Sequence, residues 1–368
     1  MINRSSAANL YGVLLLGFCA VATSLCGLLT FVGNPDPLAN EKRRLARLEF
    51  PRSLEQWENF PKKFDAFFGD NFGFRAALIR LDSKVSLAFM GRLPSDRVIA
   101  GKGDWLFFAG EHSIELYQNA LPLSSSDLDV MKERIEGRRD RLAAKGIGYE
   151  VVIAPDKHTI YPEFMLDRYR PKPRPSQYSQ TMEMAQKAGL PVVDLRPTLL
   201  AAKADGQIYL RDDTHWNDKG AALAMGPILA AMAPKFHFAA TAPTDKDFAQ
   251  EKLPTGDLAL MALIDRQETA PVLKADSLPC KYQVIDKNWD VAKRKFATRT
   301  RCPGAKGKIL FLHDSFGDSL EPFVAARFGE MVSFWQRPTD EQFDELVAKE
   351  KPDFVLEERV ERNLSSNP

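Results

Sequence analysis

The sequence predicts an α/β fold built on a parallel sheet covered on both faces, and three observations carry that prediction. Short apolar runs recur as strands, at Tyr149 to Ala154, Pro191 to Leu195, Lys308 to Leu312, Met331 to Phe334 and Asp353 to Leu356. Helical stretches separate them, so that strand and helix alternate along the chain. Two of the buried runs end in polar clusters, Pro155-Asp156-Lys157-His158-Thr159 and His313-Asp314-Ser315, and open α/β sheets place their sites at the C-terminal ends of strands. The bulk composition agrees: 368 residues, 45% apolar and 27% charged, suffice for one large domain or two with a sizeable core. Fifty basic against 49 acidic residues leave a net charge of +1, which gives no support to a nucleic-acid surface.

Taken in order, the chain opens with an uncharged stretch from Ser5 to Pro35. Its core, Leu10 to Val32, reaches the roughly 20 apolar residues that span a bilayer. A cleaved signal peptide, the alternative, has a shorter apolar region of about 7 to 15 residues and a small-residue cleavage site, which does not follow this run. Bulky Phe18 and Leu25 before Cys19 and Cys26 argue against a lipoprotein signal. Residues 1–35 are therefore expected to be an uncleaved, single-pass anchor in the cell inner membrane, with the catalytic domain in the periplasm. The positive-inside count runs against that orientation, because Arg4 precedes the run and Lys42, Arg43, Arg44 and Arg47 follow it. The N-in reading rests on a signal-anchor that leads a catalytic domain.

Residues 36–100 read as a juxtamembrane linker and a helical segment. Trp57, Phe60, Phe64, Phe67, Phe68 and Phe72 recur there at helical spacing and are expected to pack as core; Asp70 to Arg75 makes a turn. The main domain is expected over 101–360. Gly101 to Phe108 is a turn feeding a short strand, and its glycines lack the Gly-Lys-Ser/Thr of a phosphate loop. Ser126 caps a helix to about Lys145, ended by Gly146. Arg196 to Ala204 looks helical, and Asn217 caps a helix from Asp218 to Met232. Residues 240–307 are expected to be an irregular insertion. Further helices follow near Leu320 to Phe328 and Thr339 to Glu350. Cys280 and Cys302 would form a disulfide if that region lies outside the cytoplasm; no cysteine spacing suggests a zinc site.

The chemistry concentrates in two places. Arg211-Asp212-Asp213-Thr214-His215-Trp216-Asn217 gathers two carboxylates, a hydroxyl and an imidazole in one loop, and Ser315 lies a hundred residues later on a strand-to-helix turn. A serine nucleophile needs a base, and the base an orienting carboxylate. Asp213 and His215 are two apart, on one side of an extended loop; Asp212 would serve instead in a tighter one. Ser315 follows an apolar strand, with Gly317 permitting a tight turn and backbone N–H groups available as an oxyanion hole. Ser319 and His313 are the competing nucleophile and base. The ordinary reading of both places is helix capping by polar residues.

At these residues the chain resembles a known family. Asp70-Asn71-Phe72-Gly73-Phe74-Arg75, Gly103-Asp104-Trp105-Leu106-Phe107, Pro155-Asp156-Lys157-His158-Thr159-Ile160-Tyr161-Pro162, Asp213-Thr214-His215-Trp216 and Asp314-Ser315-Phe316-Gly317 are similar, in this order, to the AlgJ/AlgX-like alginate O-acetyltransferases, which carry SGNH-hydrolase-like domains. The resemblance implies a three-layer, flavodoxin-like α/β domain with a circularly permuted motif order, in which the base precedes the serine. It implies Ser315, His215 and Asp213 as catalytic residues and calls for no metal and no organic cofactor. It implies an exopolysaccharide acceptor, a membrane-bound O-acyltransferase as acetyl supplier, and other polysaccharide synthesis or export proteins as partners. A carbohydrate acetylesterase and a non-catalytic polysaccharide-binding or assembly protein remain as alternative functions on the same fold.

Overall fold

The computed structural model describes residues 45–365 apart from 91, 92, 94, 237, 239–243 and 291–294, with a few further positions between 17 and 30. The chain divides into two units, Met1–Ser95 with Leu260–Asp265, and Asp96–Ala259 with Arg266–Pro368.

In the first unit, helices α1 (Leu54–Asn71) and α2 (Arg75–Met90) follow one another across a short turn. Ser53 caps α1 by accepting from the Gln56 N–H. Its aromatic stripe is a ladder of ring contacts, Phe60 to Phe64 to Phe68 to Phe72, with centroids 5.5 to 6.1 Å apart. The stripe was expected to be core, but α1 buries none of its residues and Trp57 is more than half exposed.

Among the described residues no helix is long and apolar enough to cross a membrane, which overturns the expected single-pass, inner-membrane anchor. A crossing helix needs about 20 predominantly apolar residues. The two longest described helices, α1 at 18 residues and α4 (Ser125–Ala143) at 19, interleave apolar positions with Glu, Asp, Lys and Arg. Most of the stretch from Leu10 to Val32 lies outside the described residues.

The second unit carries the sheet. After the hairpin β1 (Val98–Ala100) and β2 (Leu106–Phe108) come α3 (Ser113–Tyr117), α4, β3 (Gly148–Ala154), α5 (Lys157–Ile160), α6 (Gln177–Ala188), β4 (Val192–Asp194), α7 (Arg196–Ala202) and α8 (Asp218–Met232). Then follow β5 (Phe248–Lys252), α9 (Asp257–Met261), β6 (Thr269–Leu273), β7 (Gln283–Asp290), β8 (Lys295–Arg301), β9 (Lys308–His313), α10 (Glu321–Ala325), β10 (Glu330–Trp335), α11 (Asp340–Glu350) and β11 (Phe354–Val360). Seven strands pair in the order β4-β3-β11-β9-β10-β8-β7, of which the first five are parallel.

Read from β9 onward and then from β3, those five strands run 2-1-3-4-5, the doubly wound order. The connection after β3 leads toward one edge of the sheet and that after β9 toward the other, so the point of reversal lies beside β9 and β11. In such sheets a crevice opens at the C-terminal strand ends there.

Alternation along the strands explains the three layers. Ile309 and Phe311 of β9, with Val152 and Ala154 of β3, face one core shared with Ala221, Met225 and Ile228 of α8. Leu310 and Leu312, with Val151 and Ile153, face a second core shared with Met131 and Ile135 of α4, Tyr178 of α6 and Phe343 of α11. Successive side chains of a strand point to opposite faces, so runs buried throughout require a helical layer on each side.

Residues 240–307 depart from the expected irregular insertion. They form the antiparallel pair β5–β6, and β7 and β8 extend the main sheet by two antiparallel strands. Neither strand carries a continuous apolar run. β7 is an edge strand bearing charged residues, as exposed sheet edges commonly do. β8 turns Thr298 and Thr300 inward, at positions that valine or isoleucine commonly fill in strands. Cys280 and Cys302 are joined by a disulfide across this region.

Candidate active site

The base loop is a tight hairpin. Tyr209 and Trp216 form an antiparallel bridge, the Leu210 N–H donates to the His215 carbonyl at 3.1 Å, and the Asn217 N–H to that of Ile208 at 3.0 Å. Asn217 then caps α8 through the Gly220 N–H at 3.0 Å. The loop is thereby fixed between a β-bridge and a helix start. Gly220 is required at that junction, since a Cβ there would come within 2.3 Å of the Ile208 carbonyl.

The serine turn is equally fixed. β9 ends at His313, Asp314 accepts from the Phe316 N–H at 3.1 Å, and Gly317 opens a 3-10 turn before α10. A Cβ on Gly317 would lie 2.3 Å from that of His313. Asp314 is itself held: its Oδ2 accepts from the Val360 N–H at 2.9 Å, at the end of β11.

These two segments meet. His215 Nε2 lies 2.8 Å from Ser315 Oγ, and His215 Nδ1 lies 2.7 Å from Asp213 Oδ1. With the carboxylate as acceptor, Nδ1 carries the proton and Nε2 faces the hydroxyl as acceptor. The Phe316 ring packs on the imidazole with centroids 4.8 Å apart, and Trp216 meets Phe316 edge-on from beneath. The expected trio Ser315, His215 and Asp213 is thus contiguous, with both His215 and Asp213 about one-fifth exposed.

The competing residues lie elsewhere. Asp212 is buried and pairs with Arg266, whose Nε donates to Asp212 Oδ2 at 2.7 Å. His313 is buried beneath the serine turn, with Nδ1 2.8 Å from the Asp314 carbonyl and Nε2 3.3 Å from Glu321. Ser319 sits inside the 3-10 turn.

Electrostatics follow from the burial. Desolvation pushes the Asp213 carboxyl upward, but the hydrogen bond and charge of His215, with backbone N–H bonds from Asp257 and His215, outweigh it and hold Asp213 well below the usual carboxylate range. Desolvation likewise pushes His215 downward, and the bond and charge of Asp213 overcome it, so the imidazole is raised above its ordinary value. Asp257 moves upward, through burial first and then through repulsion from Asp213.

Several residues that sequence reasoning missed complete the site. Asp257 donates its N–H to Asp213 Oδ2 at 2.8 Å and accepts from the Thr214 N–H at 2.7 Å. Gly256 lets this segment approach, because a Cβ there would fall 2.4 Å from the Asp212 carbonyl. Glu268 accepts from the Arg211 N–H at 2.8 Å. No signal marked them, since they come from the stretch read as irregular. Lys157 was visible in the strand-end cluster, without a role. Among the described residues one group has donor atoms close enough for a cation, Asp213, His215 and Asp257; His215 Nδ1 and both Asp213 oxygens there already hydrogen-bond to protein groups.

Comparison with known proteins gives the family and the fold. A family described as SGNH hydrolase-like domain, acetyltransferase AlgX, matches residues 98–300. A probable alginate O-acetylase AlgJ of Pseudomonas syringae pv. tomato is 33% identical over 138 residues, which are 38% of this chain and 34% of that protein. Its counterpart in Azotobacter vinelandii is 28% identical over 37% of this chain and 34% of its own. The chain thus spans about a third of the length of the curated relatives it matches. Among solved structures, Bacillus cereus PatB1 with a sulfonyl adduct aligns with a TM-score of 0.50 at 12% identity, over 74% of this chain and 97% of that one, a likeness of fold alone.

Proposed function

The chain belongs to the family of SGNH hydrolase-like acetyltransferase domains typified by AlgX, and on that premise we propose that it moves acetyl groups onto hydroxyls of an alginate-like exopolysaccharide. The observation that carries the reading is the hydrogen-bonded chain from Ser315 through His215 to Asp213, in the domain taken as 101–360. His215 Nε2 accepts the Ser315 proton as Oγ attacks the acetyl carbonyl of a donor, and the donor's leaving group takes that proton away. The acetyl-serine is then attacked by a sugar hydroxyl whose proton passes to His215, and Ser315 leaves with it. Asp213 keeps the imidazole in the required tautomer and stabilises the imidazolium that forms. The disulfide fits an oxidising compartment outside the cytoplasm, where a polysaccharide acceptor and an acetyl supplier would be met.

The test is an assay with an activated acetyl ester as donor and oligouronate as acceptor, read by mass spectrometry for acetylated glycan and for free acetate. Wild type should acetylate the glycan and Ser315→Ala should lose about 10³-fold or more of that rate. Acetate release without glycan product would make the protein an esterase. No turnover by wild type, with no acyl adduct on Ser315, would leave a binding or assembly role.

A further inference from the structure

The strand-end cluster after β3 and the Trp105 strand were singled out by the sequence, yet the proton relay uses neither. Both converge on one atom. Lys157 is about 1% exposed, and its Nζ donates to three carbonyls of the base loop, those of Leu210 at 3.0 Å, Arg211 at 3.1 Å and Asp213 at 2.6 Å. An ammonium has three N–H bonds, so all its donors are matched by one short stretch of backbone. Its other side is closed by aromatic faces: the Nζ lies 5.7 Å from the Trp105 ring and 5.3 Å from that of Phe107. The same loop is pinned from outside by Glu268, which accepts the Arg211 N–H, and by Asp257, which takes the Thr214 N–H.

We infer that Lys157 is a positioning residue: its ammonium draws the Leu210, Arg211 and Asp213 carbonyls together and so sets the distance from Asp213 to His215. The inference rests on the reading of His215 as the base. Three carbonyls from one four-residue stretch would repel one another if they converged without a cation, and of the three the Arg211 carbonyl also accepts from the Leu106 N–H at 3.0 Å. Burial pushes the Lys157 pKa down to about 8, against the attraction of Asp213, Asp257, Glu268 and Asp212. Those four carboxyl groups face the ammonium from the base loop, from α9 and from the segment before β6. The aromatic faces add a cation–π contribution.

The experiment uses the full chain. In wild type the Nδ1 proton of His215, bonded to Asp213, should give a low-field proton NMR resonance that H215Q and D213N both remove. K157M should lose or displace that resonance while far-ultraviolet circular dichroism stays native. In parallel, phenylmethanesulfonyl fluoride is used to label Ser315, followed by intact mass. Labelling in K157M should slow by about 100-fold, the scale of a roughly 1 Å misplacement. K157R keeps the charge but cannot aim three donors from one nitrogen, so it should fall between the two, slowed about 10-fold. A folded K157M with the wild-type resonance overturns the inference. If K157M does not fold, K157R carries the test, and a K157R equal to wild type in resonance and labelling overturns it. If wild type resists labelling yet K157M loses the resonance, the positioning role stands and the nucleophile reading fails.

Discussion

At the scale of single residues, the pairing of His215 with Asp213 dictates a pH dependence. The working form of a base is unprotonated, and Asp213 raises the imidazole pKa above its ordinary value. Acyl transfer should therefore fall as pH drops through a point above about 6.5, seen as the acid limb of kcat/KM against pH. D213N removes the charge that raises the imidazole, so its acid limb should move to lower pH while the plateau drops by about 10⁴-fold. A limb that stays in place would separate Asp213 from the base. In the proposed mechanism serine and imidazole act as a unit, so the double mutant S315A/H215A should be scarcely slower than either single mutant. Asp212 is predicted to behave differently. Its carboxylate neutralises Arg266, so D212A should lower stability by about 2 kcal/mol through the stranded cation, measured by urea denaturation, and leave the His215 pKa in place.

At the scale of elements, the site is a meeting of segments. The hairpin 208–217 owes its shape to the Tyr209–Trp216 bridge and to α8, and the serine turn to β9 and the end of β11. The Gly256-Asp257 segment leans on the hairpin so closely that a single methyl is excluded. G256A should therefore push Asp257 off the Asp213 carboxylate. The expected outcome is a loss of about 100-fold in kcat with a thermal midpoint within a few degrees of wild type, compared by calorimetry and steady-state kinetics. An unchanged kcat would mean that this segment merely covers the loop.

At the scale of the second unit, two cores flank one sheet, and the C-terminal ends of its parallel strands hold the site. The disulfide lies away from that end, against the β8–β10 side, where Cys302 is buried beside Ala326. Closing the segment between Cys280 and Cys302, separated by 22 residues, restricts the unfolded chain by about 3 kcal/mol. C280A/C302A should lose stability of that order in denaturant titration while keeping the kcat of wild type. Loss of activity with stability unchanged would connect β7 and β8 to the chemistry.

Local features were enough for part of this protein. Apolar runs such as Ile309 to Leu312 specify strands because burial on both faces leaves no polar alternation, and Asn217 announces α8 because a side-chain acceptor before a helix satisfies its first free N–H. The spacing of Asp213 and His215 and the position of Ser315 after a buried strand were legible for the same reason: each depends on a few adjacent residues. Spacing left open which of Asp213 and Asp212, and which of Ser315 and Ser319, meets His215; the folded chain brings Asp213 and Ser315 to it. Arg266, 54 residues beyond Asp212, captures that carboxylate, and Ser319 closes the 3-10 turn that Gly317 opens. Polar strands β7 and β8 were unreadable because β7, at the sheet edge, needs only a partner, and β8 turns threonines inward, so neither has an apolar run of its own. The roles of Lys157, Glu268 and Asp257 were hidden too. A buried charge or a backbone clamp acts on whatever the fold brings beside it, and that neighbour lies 43 to 57 residues away along the chain.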